Sequence, residues 1–134
     1  MNVSVVKEHF AVENQHDMDA MLATMRDEEP IREEIAGATY RGREDVAARY
    51  RALWTAFPDF TVNPVGFTES DACVAAEAIF TGTHRGVFNG FAPTGRSFRL
   101  PIVVVFRFDG TKIASESIYL DYASQLRQLG LLEL

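Results

Sequence analysis

The chain has 134 residues, 47% of them apolar, with ten phenylalanines and a net charge of −6. That length suits one domain with a core of its own, and the acidic balance argues against a nucleic acid or an anionic membrane surface as partner, since both are recognised by clustered Lys and Arg. The lone cysteine, Cys73, excludes an internal disulfide, no run nears the roughly 18 apolar residues of a membrane span, and Lys7, Glu8 and His9 interrupt any leader-like apolar stretch, so a cytoplasmic protein is expected.

Residues 3–14 place Val3, Val6 and Phe10 on one helical face. Asp17 is suited to cap the next helix, where Met18, Met21, Leu22 and Met25 recur at i, i+3, i+4 and i+7. That stripe reads as core packing, or as soft thioethers lining an adaptable apolar pocket. Residues 29–35 are a weak strand candidate, and "GATYRGRED" reads as a loop. The strongest helix spans about 43 to 57, with Val46, Tyr50, Leu53, Trp54 and Phe57 on one face and Pro58 as its terminator.

The rest alternates as strands. The spacing predicts strands over 60–68, 72–84, 97–108 and 113–121, with a turn at "ESD", a glycine-rich loop "RGVFNGFAPTGR" and a hairpin at "DGTK". A short helix over 122–129 follows, with Gly130 suited to its C′ position. Helices first and a meander of long antiparallel strands after them make an α+β domain covering residues 1–134, its helices packed on one face of a sheet. A curved sheet closed by helices leaves a concave, mostly apolar pocket.

Strand parity sorts the polar candidates. In the last strand Ile113, Ser115, Ser117, Tyr119 and Asp121 share one face, while Ala114, Glu116, Ile118 and Leu120 share the other. The first set holds the polar groups a pocket would use, though either face can turn inward. Glu77 lies with Cys73, Ala75 and Ile79, and His84 with Phe80, Ala78 and Gly82. Asp121, beside Tyr119, has two competing roles. A carboxylate in an apolar site has its pKa raised toward working pH and suits proton abstraction next to a carbonyl. An Asp directly before a helix is also a favoured N-cap, and backbone N–H donors lower its pKa. His84 could polarise a carbonyl or sit in a structural role, and His9 and His16 carry little functional signal. Cys73, among small apolar neighbours, reads as a core residue. "GFAPTGR" lacks the ending of a phosphate loop, and no H-E-x-x-H, C-x-x-C or G-x-S-x-G occurs. No motif therefore supports a metal or nucleotide cofactor.

The segments "FPDF" (57–60), "GTHRGVFNGFAPTGR" (82–96), "FRFDGTKI" (106–113) and "DYASQLRQLG" (121–130) resemble, in order and spacing, the SnoaL-like polyketide cyclases, also called ester cyclases. "HDMDAMLATM" and "YRGREDVAARYRALWTAFPD" are similar to that family's second and third helices. The resemblance implies a cone-shaped fold of the nuclear transport factor 2-like superfamily, often dimeric through the sheet. It also implies an intramolecular aldol closure without metal or cofactor, run by a pocket Asp that matches Asp121, with His84 matching a pocket-side His. Where family members commonly carry a Trp this chain has Ser117, and where they often carry a basic residue and an aromatic it has Glu77 and Ala78.

The resulting expectation is a cofactor-free cyclase or isomerase acting on a hydrophobic carbonyl compound. Asp121 would act as base, His84 or Tyr119 would hold the enolate oxygen, and Tyr50, Trp54, Phe57 and Phe88 would bound the pocket with Glu77 and Ser117. Two alternatives stay open. One is a small-molecule binding protein without catalysis. The other is an epoxide-hydrolase-like enzyme, which needs a second carboxylate such as Glu77.

Overall fold

The computed structural model describes residues 2–133. In chain order the elements are α1 (Asn2–Asn14), α2 (Met18–Ala23), β1 (Ile31–Glu34), β2 (Ala38–Arg41), α3 (Arg43–Ala56), β3 (Thr61–Glu69), β4 (Cys73–Thr83), β5 (Ser97–Asp109), β6 (Lys112–Tyr119) and α4 (Tyr122–Gln128). The α+β order expected from the sequence is present. "GATYRGRED" differs, because its "ATYR" forms the edge strand β2 in a hairpin with β1. The flanking glycines hide four residues with adequate strand propensity.

The six strands form one curved, open sheet in the order β2-β1-β6-β5-β4-β3. All neighbours are antiparallel except β1 and β6, which run parallel with Arg32 opposite Glu116. Thr24 and Arg26 start that pairing: Ile113 N–H donates to Thr24 O, and Arg26 N–H to Ile113 O, both at 2.9 Å. The chain between β1 and β6 is long enough for the crossover that a parallel pair needs. No described helix is long and apolar enough to cross a membrane.

Alternation selects the inner face. Val74, Ala76, Ala78 and Phe80 of β4 and Phe98, Leu100, Ile102, Val104 and Phe106 of β5 are buried under the helices. In β6 a bulge at Ala114 shifts the register between Arg107 and Phe108. The bulge lets Ile113 point inward together with Glu116 and Ile118, both buried, although simple parity puts Ile113 on the opposite face. Helix α1 contributes Val6, His9, Phe10, Val12 and Glu13 to the interior. Met21 and Met25 are fully buried in the core, as one of their two readings expects, and among the described residues no methionine lines the cavity described below. Cys73 is half-buried at the start of β4, near Ser70, and is not a core residue.

Candidate active site

Between α3, α4 and the inner face of the sheet lies a cavity of about 190 Å³. Leu53, Phe57, Phe60, Phe80, Phe88, Ile118 and Leu120 form its apolar surface. Its polar wall holds Arg32, Glu34, Tyr40, Arg49, Asn89, Tyr122 and Gln125. Exposed Ala36 and Gly37, in the β1–β2 turn, mark the mouth.

Two arginines clamp the one carboxylate of this wall. Arg49, on α3, donates from Nε to Glu34 Oε2 at 2.7 Å and from Nη2 to Oε1 at 2.8 Å. Arg32 donates from Nε to Glu34 Oε2 at 2.9 Å and from Nη1 to Glu116 Oε1 at 3.1 Å. Its guanidinium carbon lies 4.8 Å from the centre of the Tyr50 ring, a cation–π contact. Arg32 Nη2 has no protein acceptor among the described residues. The Gln125 carboxamide, on a residue only 5% exposed, likewise makes no hydrogen bond to a described residue. Asn89 closes one side, accepting from Arg49 Nη1 at 2.9 Å and donating to the Tyr122 hydroxyl at 3.0 Å.

Behind Arg32 is a buried polar network. The Tyr50 hydroxyl donates to Glu116 Oε1 at 2.5 Å. His9 Nε2 lies 3.3 Å from Glu116 Oε2 and 3.5 Å from Glu13 Oε1. Thr24 gives its own hydroxyl proton to Met21 O at 2.6 Å, so at 2.8 Å it accepts from His9 Nδ1, which fixes a proton on that nitrogen.

The network divides its protons unevenly. Burial works to raise the Glu116 pKa, but the hydrogen bond from His9 and the charge of Arg32 outweigh it and hold the carboxyl down at about 2. Burial pushes Glu13 up to about 7, against the pull of His9. His9 is raised, because the hydrogen bond and charge of Glu116 overcome its own desolvation. Glu34 is lowered, since Arg32 and Arg49 together outweigh its burial. Burial and then the Glu116 charge keep the Tyr50 phenol protonated, well above its usual range.

Of the residues expected at a site, Phe57 and Phe88 line the cavity. Tyr50 lies behind it in the network, and Trp54 is half-buried, stacked on His16 with ring centres 4.7 Å apart. His84 is fully buried against Phe57 and Phe88. Thr94 N–H donates to its Nδ1 at 3.3 Å, so the proton sits on Nε2, which has no acceptor. Asp121 is exposed, and its carboxylate accepts from Ser124 N–H at 3.0 Å as the N-cap of α4. Asp121, Tyr119 and Glu77 share a shallow depression on the outer face of the sheet, across from the cavity. Ser117 also points outward, accepting from Arg107 and donating to Glu33. The face expected to carry the polar pocket groups is therefore the outer one, because Ile118 and Leu120 must join the core and parity carries Glu116 in with them.

Sequence reasoning missed Arg32, Glu34, Glu116, Glu13 and Gln125. A usable signal existed in two places. Glu116 shares its strand face with Ile118 and Leu120, and His9 and Glu13 share a helical face with Val6 and Phe10. A charged residue on an otherwise apolar face is either a register error or a buried network. Among the described residues no group of three His, Cys, Asp or Glu side chains is placed to hold a metal ion.

Solved structures share this architecture. A Jannaschia sp. CCS1 protein provisionally named a SnoaL-like polyketide cyclase superposes with a TM-score of 0.88 at 21% identity, covering 98% of this chain and 93% of that one. A Pseudomonas putida KT2440 protein provisionally named a polyketide cyclase gives 0.88 at 20% identity, over 96% and 98%. A Catenulispora acidiphila protein with a ketosteroid isomerase-like fold gives 0.82 at 21% identity, over 96% and 93%. At such identities these likenesses establish the fold alone. No curated protein sequence matches significantly. Residues 4–129, nearly the whole chain, match the family model described as SnoaL-like polyketide cyclase, and the protein belongs to that family.

Proposed function

We propose that this protein is a cofactor-independent cyclase or isomerase acting on a small hydrophobic carbonyl compound in the cavity, with Glu34 moving the proton and Arg32 and Gln125 holding the carbonyl oxygen. One observation carries it: Glu34 is the only carboxylate among the described lining residues, and it stands beside a buried guanidinium with a spare donor. Glu34 would take a proton from the carbon next to the carbonyl, and the C–H electron pair would pass to the carbonyl oxygen. The enolate charge would develop against Arg32, an oxyanion-hole role. Returning the proton at another carbon completes an isomerisation; attack of the enolate carbon on a second carbonyl, whose oxygen then takes the proton back from Glu34, completes an aldol closure. Asp121, the acid/base residue expected from the resemblance, is left as a helix cap.

The test is hydrogen–deuterium exchange at the methyl group of 2-acetonaphthone, followed by proton NMR in D2O. The native protein should accelerate exchange, and Glu34→Gln should lose about 10²-fold or more of the acceleration. Exchange no faster than with denatured protein would overturn the proposal. A second reading, a carrier without catalysis, is favoured by the three arginine hydrogen bonds on Glu34, which lower its pKa and weaken it as a base. It predicts that the ketone binds and exchanges at the background rate.

We also propose that the outer face of the sheet, where Val65 is 69% and Tyr119 45% exposed, pairs with a second copy. Sedimentation should show a dimer that Val65→Lys disperses.

A further inference from the structure

We infer that the substrate is a compact carbonyl compound of one or two planar rings, acidic enough to be held in the cavity as its enolate anion. This rests on the function proposed above and narrows it by size and charge.

Size comes from the cavity. A dry space of about 150 Å³ accommodates benzene. The about 190 Å³ here admits somewhat more, and three fused rings exceed it. Ring character comes from the walls, lined by Phe57, Phe60, Phe80 and Phe88 in edge-to-face pairs, an aromatic surround that favours an aromatic ring as occupant.

Charge comes from the hydrogen-bonding inventory of the polar wall. Three arginine donors already occupy the Glu34 carboxylate, which leaves about one of its roughly four lone-pair sites for the proton it is to take. Unspent are the Arg32 Nη2 donor, the Gln125 carboxamide and the proton of the Tyr122 hydroxyl, whose oxygen accepts from Asn89. A wall whose free groups are mostly donors, with little acceptor capacity left on Glu34, is matched by a ligand rich in acceptors. A charge-assisted hydrogen bond to a guanidinium is roughly twice as strong as a neutral one, so the anion gains most.

The experiment compares three probes by titration calorimetry: 2-naphthoate, 2-acetonaphthone and 2-anthroate. Naphthoate has the shape of the acetonaphthone enolate and carries its charge. It should bind at least about tenfold tighter than the neutral ketone, and 2-anthroate should bind at least about tenfold weaker than naphthoate. Arg32→Met removes the cation but takes from buried Glu116 its arginine partner and endangers folding. Gln125→Leu is therefore the working variant, and it should cut the preference for naphthoate over the ketone severalfold. A ketone bound as tightly as naphthoate overturns the charge assignment. Anthroate bound as tightly as naphthoate overturns the size assignment. Both of those outcomes leave the proton-transfer function standing, since that is read separately from exchange. If none of the three binds, the cavity is not the site and both proposals fall.

Discussion

Arg32 and Glu116 face each other across the parallel pair of β1 and β6, with Nη1 3.1 Å from Oε1 and both residues no more than 5% exposed. The pair joins the cavity wall to the interior, since Arg32 also holds Glu34 and Glu116 also receives Tyr50 and His9. Removing one member of a buried ion pair strands the other. Glu116→Gln should therefore cost about 3 kcal/mol or more of unfolding free energy, measured by urea denaturation. A loss under about 1 kcal/mol would mean that Glu34 alone compensates Arg32.

Stability should peak in mildly acidic solution. Glu13 has its pKa raised from 4.5 to about 7, so its contribution is complete below pH 4.5 and fades as pH rises through 7. His9 is also raised, so its contribution is present below 6.5 and is lost at higher pH. Glu116, held at about 2, acts in the opposite sense: its contribution is present above pH 4.5 and is lost as pH falls toward 2. Melting temperature should therefore be highest between about pH 4.5 and 6.5 and decline on both sides. Glu13→Gln, which stays neutral, should flatten the alkaline decline. An unchanged alkaline limb in that variant would remove Glu13 as its cause.

Asp121 separates two positions for the chemistry. Asn caps a helix about as well as Asp, and Ala does not. Asp121→Asn should keep both stability and ketone exchange, while Asp121→Ala should lose about 1 kcal/mol with exchange intact. Loss of exchange in the Asn variant would return the proton-transfer role to Asp121 and to the outer face.

Gly86 explains part of the "GTHRG" segment. A Cβ there would stand 2.5 Å from the Thr55 carbonyl oxygen. Arg85 and Gly86 both donate backbone N–H groups to Ala56 O, at 2.9 and 3.1 Å, which ties the loop bearing Phe88 and Asn89 to the end of α3. Gly86→Ala should push that loop away. We expect a loss of about 2 kcal/mol or more by thermal or urea unfolding, together with weaker naphthoate binding.

Local patterns determined most of the elements. The alternation in β4 and β5, the apolar stripe of α3, the cap Asp17 and the turn at Gly110 are each written in neighbouring residues, because burial on one face of a helix or strand demands a period that sequence displays. The segment motifs determined the family. The site was a different matter. Which face of β6 turns inward is set by the bulge at Ala114 and by the packing of Ile118 and Leu120, neither of which the motifs around Asp121 reveal. Arg32 meets Glu116 across 84 positions and His9 meets Glu116 across 107, so no local period links them. Only the parallel β1–β6 pair within the open sheet brings β1, β6, α1 and α3 to one place. There, desolvation makes each of these charges costly unless the others are present.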